Sequence, residues 1–164
     1  MIEQRFLPNG AVIGPAVTAD VPRIVKVTVD AQYRTYAAND IWVRDKPAFL
    51  ARTQSKEFRE KLTARNNARI TNPDAAVFVA RSRKGILGVG SVEINTDGSH
   101  LLSSLYVAEE GNGLGTALLD EGHGWQQAHG AHSSQVKVAC NTPAVCFYKK
   151  AGYTFDYLIK DSIH

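Results

Sequence analysis

The stretch Glu110–Thr116, with the sequence EGNGLGT, has the residue types and spacing of an anion-binding loop. It follows the apolar run Leu101–Val107 and precedes the helix-compatible Ala117–Leu119. Glycines leave the backbone N–H groups unobstructed by a Cβ, and they adopt positive φ without strain. At the start of a helix such amides lie at the positive end of the helix dipole, where phosphate or pyrophosphate binds. On its own this loop is a weak signal.

Two downstream features add to the loop. Asn141 follows an apolar segment and directly precedes a helical pattern, so it can be a helix N-cap, a ligand contact, or both. Tyr148 lies in the apolar run Cys146–Tyr148, where a tyrosine is either a core residue or a proton donor in a site. The sequence around these residues leaves both pairs of alternatives open.

Taken together, these segments resemble the GNAT superfamily of acyl-CoA-dependent N-acyltransferases. The resemblance extends over roughly the third of the chain between Leu101 and Phe155, and it is weaker in the N-terminal half. It implies one GNAT domain over residues 1–164: a single-domain α/β fold with a mixed, mostly antiparallel sheet, flanked by helices and splayed at its central strands. The motifs are LxxLYV at 102–107, EGNGLGTALL at 110–119, Asn141, and FYKKAGY at 147–153.

The resemblance also implies how the site works. The backbone amides of the glycine loop hold the pyrophosphate of acetyl-CoA, and the strand before the loop pairs with the pantetheine arm. Tyr148 protonates the leaving thiolate, and the N–H of Val107 or a neighbour stabilises the oxyanion. Glu110 departs from the family, which usually has Gln or Arg there, and we expect its carboxylate to point to solvent. The implied cofactor-binding residues are Leu105, Tyr106, Val107, Asn112, Gly113, Leu114, Gly115, Thr116 and Asn141.

The base that deprotonates the amine is less defined. Glu93 and His100 are the candidates on the predicted central strands, and each also reads as an ordinary surface residue. The family builds its acceptor pocket near the end of the first helix, where Tyr33, Tyr36 and Trp42 lie. Core packing is the alternative for Tyr33 and Trp42.

Apolar periodicity and turn residues predict the elements that position these residues. We expect three antiparallel strands in the middle of the chain and a parallel-compatible connection through the glycine-loop helix. The predicted strands are Ala11–Val17, Ala75–Ala80, Ile86–Ile94, His100–Val107, Ser134–Cys140 and Tyr153–Ile159. The predicted helices are one from about Thr18 to Tyr36, a largely exposed one at Phe49–Ala68, Gly113–His129 and Pro143–Lys150.

Two glycines, Gly122 and Gly124, fall in the middle of the predicted third helix. Each costs roughly 0.5–1 kcal/mol there relative to alanine. Close packing against a neighbouring strand or ligand is one explanation, and tolerated drift is the other. We favour drift for both.

Composition limits the class of protein. A chain of 164 residues with 44% hydrophobic and 21% charged residues suits one soluble domain with a real core. No apolar run approaches the roughly 18 residues of a membrane span, and the N-terminus does not read as a signal peptide, so we expect a cytoplasmic protein. A net charge of +3 falls short of a nucleic-acid footprint, and the two cysteines lack the spacing of a metal site.

The resulting hypothesis is an N-acetyltransferase that moves the acetyl group of acetyl-CoA to a primary amine by direct attack, without a metal, as a monomer or homodimer. The alternative is a non-catalytic acyl-CoA-binding sensor or interaction module. A P-loop or Rossmann protein does not fit, because no Lys-Ser/Thr follows the glycines and the glycine loop comes after three or more strands.

Overall fold

A computed structural model describes residues 4–41, 43–139 and 141–154, and these form a six-stranded sheet flanked by helices. Neighbouring strands pair antiparallel except β5 and β6, which pair in parallel. The mixed, mostly antiparallel α/β sheet predicted from the sequence is therefore confirmed. The strands, in sheet order, are β1 Arg5–Phe6, β2 Val12–Pro15, β3 Ala75–Ser82, β4 Gly85–Ile94, β5 His100–Val107 and β6 Gln135–Val136.

Helices cover both faces of this sheet, because side chains of a strand alternate between its faces. Val89 of β4 packs with Ile24 of the first helix, whereas Val92 packs with Leu118 on the opposite face. One face thus carries α1 and α3 and the other carries α4 and α5. The helices are α1 Val21–Ala38, α2 Lys46–Thr53, α3 Lys56–Thr71, α4 Leu114–Ala128 and α5 Pro143–Lys150, with a 3₁₀ turn at Thr18–Asp20. No helix in these described ranges is long and apolar enough to cross a bilayer.

Several predicted bounds change. The single helix at Phe49–Ala68 is wrong, because Ser55 begins a new helix: its Oγ accepts the N–H of Phe58 at 3.2 Å. The second of these helices, α3, buries Leu62, Asn66 and Arg69 and is not largely exposed. The strand at Ser134–Cys140 pairs only over Gln135–Val136, and β1 was not predicted. Most of the predicted strand Tyr153–Ile159 lies outside the described residues.

The two glycines of α4 have different explanations. A Cβ on Gly122 would lie 3.2 Å from Phe78 and from Val92, so this glycine lets α4 approach the sheet closely. Nothing lies within 4 Å of the corresponding position on Gly124. Drift was therefore the wrong explanation for Gly122 and fits Gly124.

A β-bulge interrupts β5 at its centre. Ser91 of β4 lies opposite Ser104, but the next residue, Val92, lies opposite Leu102, so Ser103 is an extra residue. The uneven spacing of Leu102 and Leu105 in the sequence is compatible with this bulge. Beyond it no described residue pairs with β5 on the β6 side, because β6 pairs only with Leu101 and Leu102. The sheet is splayed here, as the family resemblance implied.

Candidate active site

The splayed gap between β5 and β6 opens a cavity of about 430 Å³. This volume falls in the range of small-molecule sites. Its wall includes Gln32 and Tyr36 of α1 on one face of the sheet, and Phe147 and Tyr148 of α5 on the other. The cavity therefore connects the two faces through the gap.

The glycine loop forms one end of this cavity. Gly111 and Gly113 have φ of +81° and +80°, which other residues adopt only with strain. Gly113 is the N-cap of α4, and no atom lies within 4 Å of the place where its Cβ would stand. The Oδ1 of Asn112 accepts the N–H of Leu114 at 3.2 Å, so that amide is already engaged. The remaining first-turn amides of α4 are those of Gly115 and Thr116, both of which line the cavity.

Glu109 and Glu110 belong to the same loop. Both are exposed and both line the cavity at this end. Arg34 of α1 fixes the start of the loop, because its guanidinium donates to the carbonyl oxygens of Val107 at 3.0 Å and Ala108 at 3.1 Å.

The second half of β5 presents an open backbone edge to the cavity. Ala108 N–H donates to Leu87 O at 2.8 Å, and Gly88 lies opposite Val107. Residues in an antiparallel pair alternate between facing their partner and facing away. The N–H groups of Leu105 and Val107 therefore point away from β4, into the gap.

Tyr148 lies on the α4 side of the gap. It is 92% buried, and its ring makes an edge contact with Tyr153 at 5.4 Å between centroids. Burial, together with the neighbouring phenols of Tyr106 and Tyr153, raises the pKa of Tyr148 well above its usual value of 10.0. The phenol therefore keeps its proton near neutral pH.

Tyr106 lies on the opposite, α1 side of the gap, where its ring packs with Val27 and Val89. Its hydroxyl accepts a hydrogen bond from Nε2 of Gln32 at 2.9 Å. Burial raises the pKa of Tyr106, and the Gln32 hydrogen bond and the positive charges of Arg69 and Arg65 oppose that rise. Burial and the nearby Tyr106 raise the pKa of Tyr36 to about 12. The phenols on this side are thus neutral as well.

Asn141 does not cap α5. The N-cap is Thr142, and Asn141 precedes it with a left-handed φ of 60°. The Asn141 Nδ2 donates to the carbonyl oxygen of Asp40 at 3.0 Å, which joins the loop before α5 to the loop after α1. Asn141 is not part of the cavity wall, although Thr142 is.

The two candidate bases lie away from the cavity wall. Glu93 forms an ion pair with Arg69 at 3.0 Å, and Arg69 also donates to Ser104 Oγ at 3.2 Å. His100 is buried at the start of β5, and its Nδ1 has no hydrogen-bond partner in the described chain. Neither residue lines this cavity, so a base role for Glu93 or His100 stays a prediction.

Of the predicted acceptor-pocket aromatics, Tyr36 lines the cavity, whereas Tyr33 is 45% exposed and is not a core residue. Trp42 lies outside the described residues. No sequence pattern predicted a role for Gln32, which is 74 positions from Tyr106 and belongs to no motif. No group of three or more His, Cys, Asp or Glu residues in the described ranges could hold a metal ion.

Comparison with known proteins identifies the class. Residues 73–155, just over half of the chain, match the family described as "Acetyltransferase (GNAT) domain". The chain therefore belongs to the GNAT acetyltransferase family, as the sequence motifs implied. No curated protein matches the sequence.

Solved structures show the same fold at low sequence identity. The PaiA N-acetyltransferase from Thermoplasma acidophilum, in complex with coenzyme A, is 19% identical, with a TM-score of 0.73 over 89% of this chain and 91% of that one. A predicted acetyltransferase from Clostridium acetobutylicum, with acetyl-CoA, is 15% identical, with a TM-score of 0.66 over 91% of this chain and 94% of that one. The match extends through the N-terminal half, where the sequence motifs are weak.

Proposed function

We propose that this chain is an N-acetyltransferase that transfers the acetyl group of acetyl-CoA to a primary amine by direct attack. The observation that carries the proposal is a cavity that passes through the sheet, with the glycine loop at one end and Tyr106 and Tyr148 on opposite faces. Such an arrangement suits a two-substrate reaction, because each reactant can approach the central gap from its own side and be held beside the other.

The residues present fit acetyl-CoA. The positive-φ glycines leave open space in front of the α4 N-terminus, and the amides of Gly115 and Thr116 suit a pyrophosphate. The free edge of β5 suits the amide-containing pantetheine arm, which can add to the sheet as a short strand. In this proposal Leu105 and Val107 supply that edge, whereas Leu114 has its amide engaged by Asn112 and its side chain buried in the core.

Acetyl-CoA would supply an activated acyl carbon on a thioester. The Val107 N–H points into the gap and would donate a hydrogen bond to the carbonyl oxygen as negative charge develops there. In the overall transfer a C–N bond forms, the C–S bond breaks, the amine nitrogen loses one proton and the sulfur gains one. Tyr148 would donate the proton that the sulfur gains, because burial keeps its phenol protonated.

The experiment has two stages. Acetyl-CoA should raise the melting temperature of the protein, because a ligand that binds only the folded state stabilises it. A panel of amines should then release free thiol from acetyl-CoA in a protein-dependent way. Stabilisation without thiol release for any amine would replace this proposal with the sensor alternative. Absence of stabilisation at saturating acetyl-CoA would contradict both.

A further inference from the structure

We propose that Gln32 and Tyr106 bind the acceptor amine, and that the site takes this amine in its uncharged form. The inference rests on the proposed amine acetylation and adds the chemical class of the acceptor. It starts from Gln32 Oε1, which is buried and has no hydrogen-bond partner in the described chain, although Gln32 lines the cavity. A buried amide oxygen needs a donor, and an amine N–H is a donor of the right size.

A hydrogen bond to Tyr106 anchors the amide of Gln32. Its Nε2 donates to Tyr106 Oη at 2.9 Å, which leaves Oε1 as the free end of the group. Because Tyr106 Oη accepts that bond, the Tyr106 hydroxyl hydrogen remains able to donate elsewhere. Gln32 therefore offers one acceptor beside a phenol that stands at the gap.

The position of the pair suits a nucleophile. Tyr106 lies on the α1 side, and its phenol influences Tyr148 on the α4 side. An amine held by Gln32 would thus approach the gap from the face opposite Tyr148. That separation leaves the Tyr148 side for the sulfur.

The surrounding charges favour an uncharged amine. Arg65 of α3 acts electrostatically on Tyr106 and Arg34 of α1 lines the cavity, so an ammonium group would meet positive charge, whereas Arg69 is compensated by its ion pair with Glu93. The described carboxylates of the wall are Glu109 and Glu110, both exposed in the glycine loop, and Glu93 is occupied by Arg69. The tyrosines Tyr36, Tyr106 and Tyr148 stay neutral, and Lys137 adds a further positive charge to the wall.

An uncharged amine also removes the need for a nearby base. Neither Glu93 nor His100 lines the cavity, and a neutral amine already carries the lone pair that attacks the acyl carbon. Its excess proton leaves the nitrogen for solvent water after the C–N bond has formed, and Tyr148 regains from water the proton that it gives to the sulfur. Acceptors whose nitrogen is neutral at neutral pH, such as aromatic amines, are therefore preferred over alkyl ammonium ions.

The test measures binding separately from turnover. Protein loaded with CoA is titrated by calorimetry with aniline, which is uncharged at neutral pH, and with benzylamine, which is protonated. We expect aniline to bind more tightly at neutral pH, and benzylamine to gain affinity about tenfold per pH unit up to its own pKa. Gln32→Leu should weaken aniline binding about tenfold, the effect of one lost hydrogen bond to a buried group. The matched control is Gln127→Leu on the exposed surface of α4.

Each outcome decides the inference. A loss of aniline affinity in Gln32→Leu but not in Gln127→Leu supports the inference. If that loss is seen but no amine is acetylated, only the proposed function fails. Equal affinities of both amines at neutral pH, or no aniline binding by the wild type, would overturn it. Gln32→Glu supplies a second check, because its carboxylate should narrow the preference for aniline by pairing with benzylammonium. If Gln32→Glu still binds acetyl-CoA but keeps the wild-type preference for aniline over benzylamine, the proposed role of Gln32 and Tyr106 is contradicted.

Discussion

Tyr106 and Tyr148 pack on opposite faces of the sheet but line the same cavity, and burial together with the phenol of Tyr106 raises the pKa of Tyr148. This cavity opens where β5 and β6 stop pairing. A regular sheet would have filled this space with paired backbone. The two tyrosines therefore mark the two entrances to one reaction space.

Replacing Tyr148 by phenylalanine should lower kcat by about 100-fold and leave acetyl-CoA affinity near that of the wild type. General acids contribute roughly 10²–10⁴-fold, and the raised pKa of Tyr148 makes it a weak acid, so the low end applies. Steady-state kinetics and calorimetry with acetyl-CoA measure the two quantities. Tyr33→Phe, at an exposed position of α1, is the control. Full activity of the Tyr148 variant would mean that another group protonates the sulfur.

Gly113→Asp should abolish acetyl-CoA binding, because it places a carboxylate in front of the α4 N-terminus. Gly98→Asp is a closely matched control: Gly98 has φ of +83° against +80° for Gly113, and neither position has an atom within 4 Å. Both variants should lose about 1–2 kcal/mol of stability from left-handed strain. Only the first should lose its thermal shift with acetyl-CoA. Equal shifts in the two variants would contradict the proposed position of the pyrophosphate.

Glu93→Gln distinguishes a base from an ion-pair partner. The substitution removes the carboxylate that pairs with Arg69, whose side chain is only 10% exposed. The free energy of unfolding should therefore fall by on the order of 2–3 kcal/mol. The double variant Glu93→Gln, Arg69→Met should recover part of that loss in urea unfolding, and the pH profile of kcat should match the wild type in both. If kcat instead falls 100-fold and the double variant does not restore it, Glu93 is the base. The same pH profile measured for His100→Phe examines the other candidate.

The two α4 glycines should respond oppositely to alanine. Gly124→Ala fills open space in a helix and should stabilise the protein by about 0.5–1 kcal/mol. Gly122→Ala puts a methyl 3.2 Å from the fully buried Phe78 and Val92, so overpacking should cost about 1 kcal/mol or more. Urea unfolding of the pair measures both signs. A stabilised Gly122→Ala would mean that the sheet yields to α4.

Sequence patterns predicted best where an apolar run ends at clear turn residues. The bounds of β5 and α5 agree with the prediction, because Asp97-Gly98 precedes one and Pro143 begins the other. The break before α3 was missed, although Ser55 is an N-cap residue, because it lies within a continuously charged stretch. The length of β6 depends on how far it runs beside β5, and the residues of β6 alone do not predict that.

The candidate site also has a part that sequence patterns predicted and a part that they did not. The glycine loop could be found from adjacent residues, because backbone geometry alone makes it an anion site. Gln32 and the Arg69–Glu93 ion pair could not, since each depends on contacts between distant segments that only the fold brings together. A period of two also does not hold along β5. A regular strand would place Leu102 and Tyr106 on one face, whereas they pack in different clusters.

One serine accounts for that reversal. The Oγ atoms of Ser103 and Ser91 form a hydrogen bond at 2.8 Å, and Ser104 Oγ accepts one from Arg69 on the same face of the sheet. The consecutive side chains of Ser103 and Ser104 therefore share a face. Without Ser103 the ladder would run from Ser104 straight to Leu102, every later side chain would keep its present side, and the strand would lose its local kink. The extra peptide unit of Ser103 thus bends β5 beside the gap without changing which side chains of β5 face the cavity.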